Sequence, residues 1–137
     1  MVLSEIDSIE RQLKIKLPDY YVKTMLDYPF PADSFAAELS LCTNVKSILD
    51  NNCVFQPAER SFAVGSDGGE FIYYVKLDGE EKVYIYDFER SHVHNSVEAD
   101  TWAGFLHSLS LQEEELNKDE LLEEKRKRNK KWWQFWI

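Results

Sequence analysis

Short apolar and aromatic runs in the centre of the chain predict three β-strands, over residues 62–66, 70–77 and 82–88, in which successive side chains alternate between the two faces. Asp78-Gly79 separates the last two, and this dipeptide is typical of hairpin turns because glycine adopts positive φ without strain. Both faces of these two strands are apolar or aromatic. We therefore expect the hairpin to lie inside a sheet that helices cover.

Helical periodicity replaces the alternation on both sides of this centre. A first helix is expected with Ser4 as its cap, and Pro18 suits the first turn of a second helix, which must stop within residues 28–31. Asp100 or Thr101 is expected to cap a closing helix with an apolar stripe. The sequence therefore begins and ends with helices.

The region between the second helix and the central strands has a weaker pattern. Residues 35–42 are interpreted as a short strand, and Thr43 as the cap of a helix that runs to Asp50 and ends at Asn51-Asn52. The fold class expected is α+β. An antiparallel or mixed sheet of about four to six strands would carry an N-terminal helix pair and C-terminal helices packed on it.

The segment Gly65-Ser66-Asp67-Gly68-Gly69 lies between two predicted strands and raises the question of a catalytic or phosphate-binding loop. It lacks the G-x-S-x-G spacing of a nucleophile elbow, the lysine and following helix of a phosphate loop, and the ligand alternation of an EF-hand. We interpret it as a turn in which Gly68 or Gly69 has positive φ and Asp67 bonds the downstream backbone. The expected turn residues are Gly65, Gly68, Gly69, Asp78 and Gly79.

Charge divides the 137 residues into two parts. Of 25 acidic and 16 basic residues, seven of each fall in 113–137, so the remaining 18 and nine give 1–112 the whole net charge of −9. We expect 1–112 to be a globular domain and 113–137 to be a charged helix with a basic and aromatic tail. An acidic domain of this kind attracts basic proteins and repels nucleic acids.

Two motifs in this domain resemble the SUKH superfamily, which comprises proteins related to a fungal cell-wall-assembly regulator and to bacterial toxin-immunity proteins. Its first helix carries a Glu and a Leu before a Leu-Pro step, and its first strand leads into a Gly-x-Asp-Gly turn. The matching residues are Glu10, Leu13, Leu17 and Pro18, then Gly65, Asp67 and Gly68. Two departures are the segment YPFPADSF in place of a glycine-rich loop, and Glu70 where the family often has glycine.

The resemblance implies an immunity protein that binds and blocks a cognate toxin domain, such as a nuclease, and that is no enzyme. We expect a basic protein partner, no nucleic acid, no membrane, no cofactor and no metal. Acidic residues flanking the central hairpin are expected to supply part of the partner-binding surface: Asp67, Glu70, Glu80, Glu81, Asp87 and Glu89. His92 and His94 alternate, but a metal site needs three or four ligands, and His107 is expected to be half-buried.

Cysteine use and the N-terminus predict a cytoplasmic location. Cys42 and Cys53 fit no metal-binding spacing and are expected to be buried free thiols. The first residues mix charged with apolar positions, so we expect neither a signal peptide nor a membrane anchor.

The C-terminal tail presents a second candidate surface. Three Glu-to-basic pairs at i, i+4, led by Glu114–Lys118, support a helix before the basic run, and four aromatic residues follow as expected partner-binding residues: Trp132, Trp133, Phe135 and Trp136. Docking on the domain, a homodimer contact, partner binding, and membrane or nucleic-acid contact all stay open. The alternative function is a regulatory or scaffold module that engages a partner through this tail.

Overall fold

The computed structural model describes residues 1–54, 60–87 and 96–135, with side chains through residue 53, over 60–87 and over 96–118. The α+β class is confirmed, with one four-stranded sheet and helices at both ends of the chain. The elements are α1 (Leu3–Leu13), α2 (Asp19–Leu26), a π-helical turn (Ala36–Ser40), α3 (Val45–Val54), β1 (Ser61–Ser66), β2 (Phe71–Lys76), β3 (Val83–Asp87), β4 (Ser96–Ala99) and α4 (Trp102–Phe135).

The sheet is an antiparallel meander in the order β1-β2-β3-β4. The fourth strand had no counterpart in the sequence pattern. The predicted Asp78-Gly79 turn is present, but the connection spans residues 77–82 rather than two residues. In it the Asp78 Oδ1 atom accepts a hydrogen bond from the Glu80 N–H at 3.0 Å, and Gly79 has a φ of 93°.

The two faces of the sheet are buried in separate clusters. Tyr73, Val75 and Val83 join the main core with the helices, whereas Ile72, Tyr74 and Tyr84 belong to a smaller cluster on the other face. This division is the one that the alternation predicts. It fixes which residues of β2 and β3 point toward α4, since Phe105 of that helix packs against Tyr73.

The predicted strand over 35–42 is wrong, because hydrogen bonds from distant residues favour a helical backbone there. The Ser34 hydroxyl accepts a hydrogen bond from the Ala37 N–H at 3.1 Å, and Glu113 Oε1 of α4 accepts one from the Ala36 N–H at 2.8 Å. These two acceptors cap the start of the π-helical turn. The contact between Ala36 and Glu113, which are 77 positions apart, cannot be predicted from the local sequence pattern.

Two helices begin at residues other than the predicted ones, because other groups form the hydrogen bonds at their first turns. Ser4 lies inside α1, whose N-cap is Val2, and the Glu5 carboxylate accepts the hydrogen bond from the Val2 N–H at 2.9 Å. Asn44, rather than Thr43, caps α3 by accepting a hydrogen bond from the Ser47 N–H at 3.1 Å. Thr101 caps α4 as expected, through the Gly104 N–H at 3.0 Å.

Helix α3 does not end at Asn51-Asn52 but continues to Val54, because the Asn52 side chain forms hydrogen bonds with strand β1. Its amide donates to the Ala63 carbonyl oxygen at 3.1 Å and accepts from the Ala63 N–H at 2.9 Å. These are the bonds that a neighbouring strand would make with β1. The Asn52 side chain thus satisfies the backbone hydrogen-bonding groups of Ala63 at the outer edge of the sheet.

Candidate functional site

The turn between β1 and β2 is built around one carboxylate. Asp67 Oδ1 accepts hydrogen bonds from the N–H groups of Gly69 at 3.0 Å and Phe71 at 2.9 Å, as the sequence predicted for this side chain. Gly68 has a φ of 91°, and Gly69 does not have positive φ. The Asp67 carboxylate therefore stabilises the turn and has less freedom to meet a partner than its neighbours.

Gly65 is required for packing rather than for its φ. A Cβ at this position would overlap the backbone carbonyl groups of Leu39 and Ser40 in the π-helical turn. The strand register also shifts between Ala63 and Gly65, so the chain bulges where it meets that turn. The glycine lets the two backbones touch, and this contact fixes the position of the β1–β2 turn.

The structure separates the predicted acidic residues into two groups at opposite ends of the sheet. Asp67 and Glu70 lie in the β1–β2 turn, and Asp87 pairs with Phe71 at the same end. Glu80 and Glu81 lie in the β2–β3 connection, about 20 Å away along the six residues of β2. Glu89 lies outside the described residues. The six positions therefore do not form one cluster, and we call Asp67, Glu70 and Asp87 the acidic end.

The opposite end, at the β2–β3 connection, carries both signs of charge. A cleft of about 500 Å³ lies there, lined by Lys16, Leu17, Pro18, Asp19, Tyr20, Arg60, Leu77, Gly79 and Glu81. Its two basic side chains balance its two carboxylates. Glu80 is also engaged, since its carboxylate accepts a hydrogen bond from the Tyr84 hydroxyl at 3.0 Å. The lining of the cleft therefore carries no net charge.

Tyr20 forms one wall of this cleft. Its hydroxyl donates to the Glu80 carbonyl oxygen at 3.1 Å, and its ring packs on Trp102 with the centroids 5.2 Å apart. Burial, together with smaller contributions from the charges of Glu81 and Asp78, raises the pKa of the Tyr20 hydroxyl to about 12. The phenol stays neutral at physiological pH, so it serves as a hydrogen-bond donor.

Two carboxylates near the acidic end act on a tyrosine of the main core. Burial raises the pKa of the Tyr73 hydroxyl, and the charges of Glu98 and Asp67 add to this effect. Glu98 lies on β4, so sequence analysis missed it together with its strand. Its surroundings could not be found from the sequence, because only the pairing of β4 with β3 brings Glu98 within electrostatic range of Tyr73.

The motif residues that carry the family resemblance have structural tasks. Glu10 Oε2 accepts a hydrogen bond from the Leu17 N–H at 2.9 Å, which ties the end of α1 to the connection before α2. Leu17 is buried in the main core, and Pro18 is the N-cap of α2. Together with Gly65 and Asp67, these residues position backbone.

The remaining predicted residues lie as follows. Trp132, Trp133 and Phe135 belong to the described backbone of α4, whereas Trp136, His92 and His94 lie outside the described residues. Two expectations are wrong, since Cys53 and His107 are exposed on helices whose apolar stripes face elsewhere. Cys42 is buried and free, as expected.

Comparisons of the chain with family models, curated proteins and solved structures gave no match. Within the described part of the chain, no group of three or more His, Cys, Asp or Glu residues could hold a metal ion. Among the same residues, no helix has the length and apolar character needed to cross a bilayer. The candidate site therefore consists of the acidic end and the cleft of mixed charge, at opposite ends of one sheet.

Proposed function

We propose that this chain is a non-enzymatic binding protein of the SUKH type that neutralises a cognate bacterial toxin by direct contact. The partner surface would be basic, as expected of a toxin domain that acts on nucleic acid. The acidic end of the sheet would face it. The cytoplasm, where such a toxin would be blocked, is the proposed location.

The observation that carries this proposal is the charge of the acidic end on an acidic domain. The segment from Gly65 to Phe71 contains two carboxylates and no basic residue, and it is held by the Gly65 contact and the Asp67 hydrogen bonds. Charges on a fixed scaffold steer a partner of opposite sign, and they act mainly on the rate of association. Glu70 is exposed in this turn and is the side chain best placed to do so.

The two ends of the sheet provide a matched pair of variants. Glu70→Lys and Glu81→Lys each reverse one exposed carboxylate, so they change the net charge equally. Glu70 lies at the acidic end, whereas Glu81 lines the cleft, where Lys16 and Arg60 already offset it. If the acidic end meets the partner, only Glu70→Lys should weaken neutralisation.

The experiment is co-expression in bacteria with the toxin domain encoded beside this gene. The proposal expects the wild-type chain to restore growth and to form a 1:1 complex with that domain. It expects Glu81→Lys to protect as well as wild type and Glu70→Lys to protect less. Toxicity that persists with well-folded wild-type chain, together with the lack of a complex, would contradict the proposal.

A second candidate is the regulatory or scaffold module that engages its partner through the C-terminal aromatic residues. Its support is that α4 continues to Phe135, well past Glu113, whose carboxylate accepts a hydrogen bond from the domain. The two functions separate in the same assay. A chain truncated after residue 118 keeps the acidic end, so it should still protect against the toxin only if the first proposal holds.

A further inference from the structure

Among the residues whose side chains the structure describes, α4 contacts the domain within its first three turns. Trp102, Phe105 and Leu109 are buried in the main core, and Glu113 holds the Ala36 N–H. Every residue from 114 to 118 is exposed. The 22 residues after Glu113 extend about 33 Å along the helix axis. Most of the stability of helices in proteins comes from packing of one helix face, so a partner surface would stabilise this stretch.

The charges along this part of the helix are separated into two blocks. Residues 113–124 contain seven acidic residues and one basic residue, and residues 125–131 contain six basic residues and no acidic one. The two blocks are equal and opposite, at −6 and +6. Their charges are centred near residues 118 and 128, which lie about 15 Å apart on the helix.

Apolar residues lie at both ends of these blocks. On the domain side, Leu111 and Leu116 are 50% and 42% exposed. On the other side, the basic block is followed directly by Trp132 and Trp133 in the sequence. Covering the two exposed leucines would remove this apolar surface from water, which favours association.

We propose that α4 binds α4 of a second copy of this chain in an antiparallel pair. With the acidic block of each copy beside the basic block of the other, the two-fold axis passes near residue 123. In this register Arg126 lies level with Glu120 of the second copy, and Lys131 lies level with its Glu115. Trp132 and Trp133 lie near the level of residues 113 and 114 of the second copy, which are between its two exposed leucines. Both pairs of blocks attract one another, and the helix dipoles are opposed.

The opposite orientation is excluded by the same charges. A parallel pair places each block beside its own copy, so that −6 faces −6 and +6 faces +6 along the helix. Like charges that face each other destabilise a helix pair. The inference concerns self-association alone, so it does not rest on the toxin-binding function.

The test is the sedimentation of the full chain at several concentrations and two salt levels. Wild type should form a dimer that weakens as salt rises. Arg126→Glu with Lys131→Glu, and separately Glu115→Lys with Glu120→Lys, should each weaken the dimer roughly tenfold or more. An equimolar mixture of these two double variants should restore association to near the wild-type level, because each reversed residue again lies level with an opposite charge.

A control separates this effect from total charge. Lys46→Glu changes an exposed residue of α3 and should leave the dimer unchanged. None of the four α4 substitutions disturbs the pairs Glu114–Lys118, Glu123–Lys127 and Glu124–Arg128, and circular dichroism checks that the helix is kept. A wild-type chain that stays monomeric, or a variant mixture that fails to associate, would overturn the proposal.

Spin labels decide the orientation. They are attached to Ser108→Cys or Asn117→Cys in a Cys53→Ser background, where the only other thiol, Cys42, is buried. The antiparallel register predicts distances between copies of roughly 46 Å at residue 108 and roughly 21 Å at residue 117. A parallel pair would give about 10 Å at both positions, and that result would contradict the inference.

Discussion

Gly65→Ala should be the most destabilising single substitution in the β1–β2 region. The added Cβ overlaps the Leu39 and Ser40 carbonyl groups, and backbone atoms cannot move aside as a flexible side chain can. Either β1 or the π-helical turn must shift, and the hydrogen bond from the Cys42 N–H to the Val64 carbonyl oxygen would be strained. Overpacking of this kind costs about 3 kcal/mol, which lowers the melting temperature of a 137-residue chain by about 10 °C.

Gly69→Ala is the matched control for this substitution. It lies four residues away, in the turn after β1, has no positive φ, and a Cβ there would meet no atom within 4 Å. Its free energy of unfolding should stay within about 0.5 kcal/mol of wild type. Urea unfolding followed by circular dichroism measures both variants. Equal stability of the two would refute the argument that Gly65 is needed for close backbone contact.

Three further predictions concern single hydrogen bonds and titration. Asn52→Ala removes both bonds to Ala63 and should lower the free energy of unfolding by about 1–3 kcal/mol in urea; no change would mean that water replaces the amide. Thr101→Ala removes the cap of α4 and should cost about 1 kcal/mol in the same assay. Wild-type stability should fall as pH rises from about 10 to about 12, because unfolded Tyr20 ionises at its ordinary pKa while the folded phenol keeps its proton. Tyr20→Phe should make this slope shallower by up to one proton, and an unchanged slope would show that Tyr20 does not contribute.

The sequence predicted the centre of the fold well because its signals there are local. Period-two alternation identified β1 to β3 and assigned Tyr73 and Tyr74 to opposite faces. Turn chemistry identified the task of Asp67, since an Asx side chain bonds backbone only a few residues ahead. These predictions depend on nothing outside the segment itself.

The predictions that failed depend on residues far apart in the chain. The π-helical turn replaces a predicted strand because Glu113 reaches Ala36, and α3 passes Asn51 because the Asn52 amide bonds β1. The expected cluster of acidic residues is divided for the same reason. Glu70 and Glu81 are 11 residues apart in the sequence, but β2 runs between them and places them at opposite ends of the sheet.

The rate of association with the cognate toxin domain, measured by stopped flow across a salt series, tests the account most directly. At low salt, Glu70→Lys should slow association by roughly threefold to tenfold, while Glu81→Lys should stay within about twofold of wild type. The difference should shrink as salt rises, because exposed charges are screened. Association that is insensitive both to salt and to Glu70→Lys would contradict the claim that the acidic end meets a basic partner.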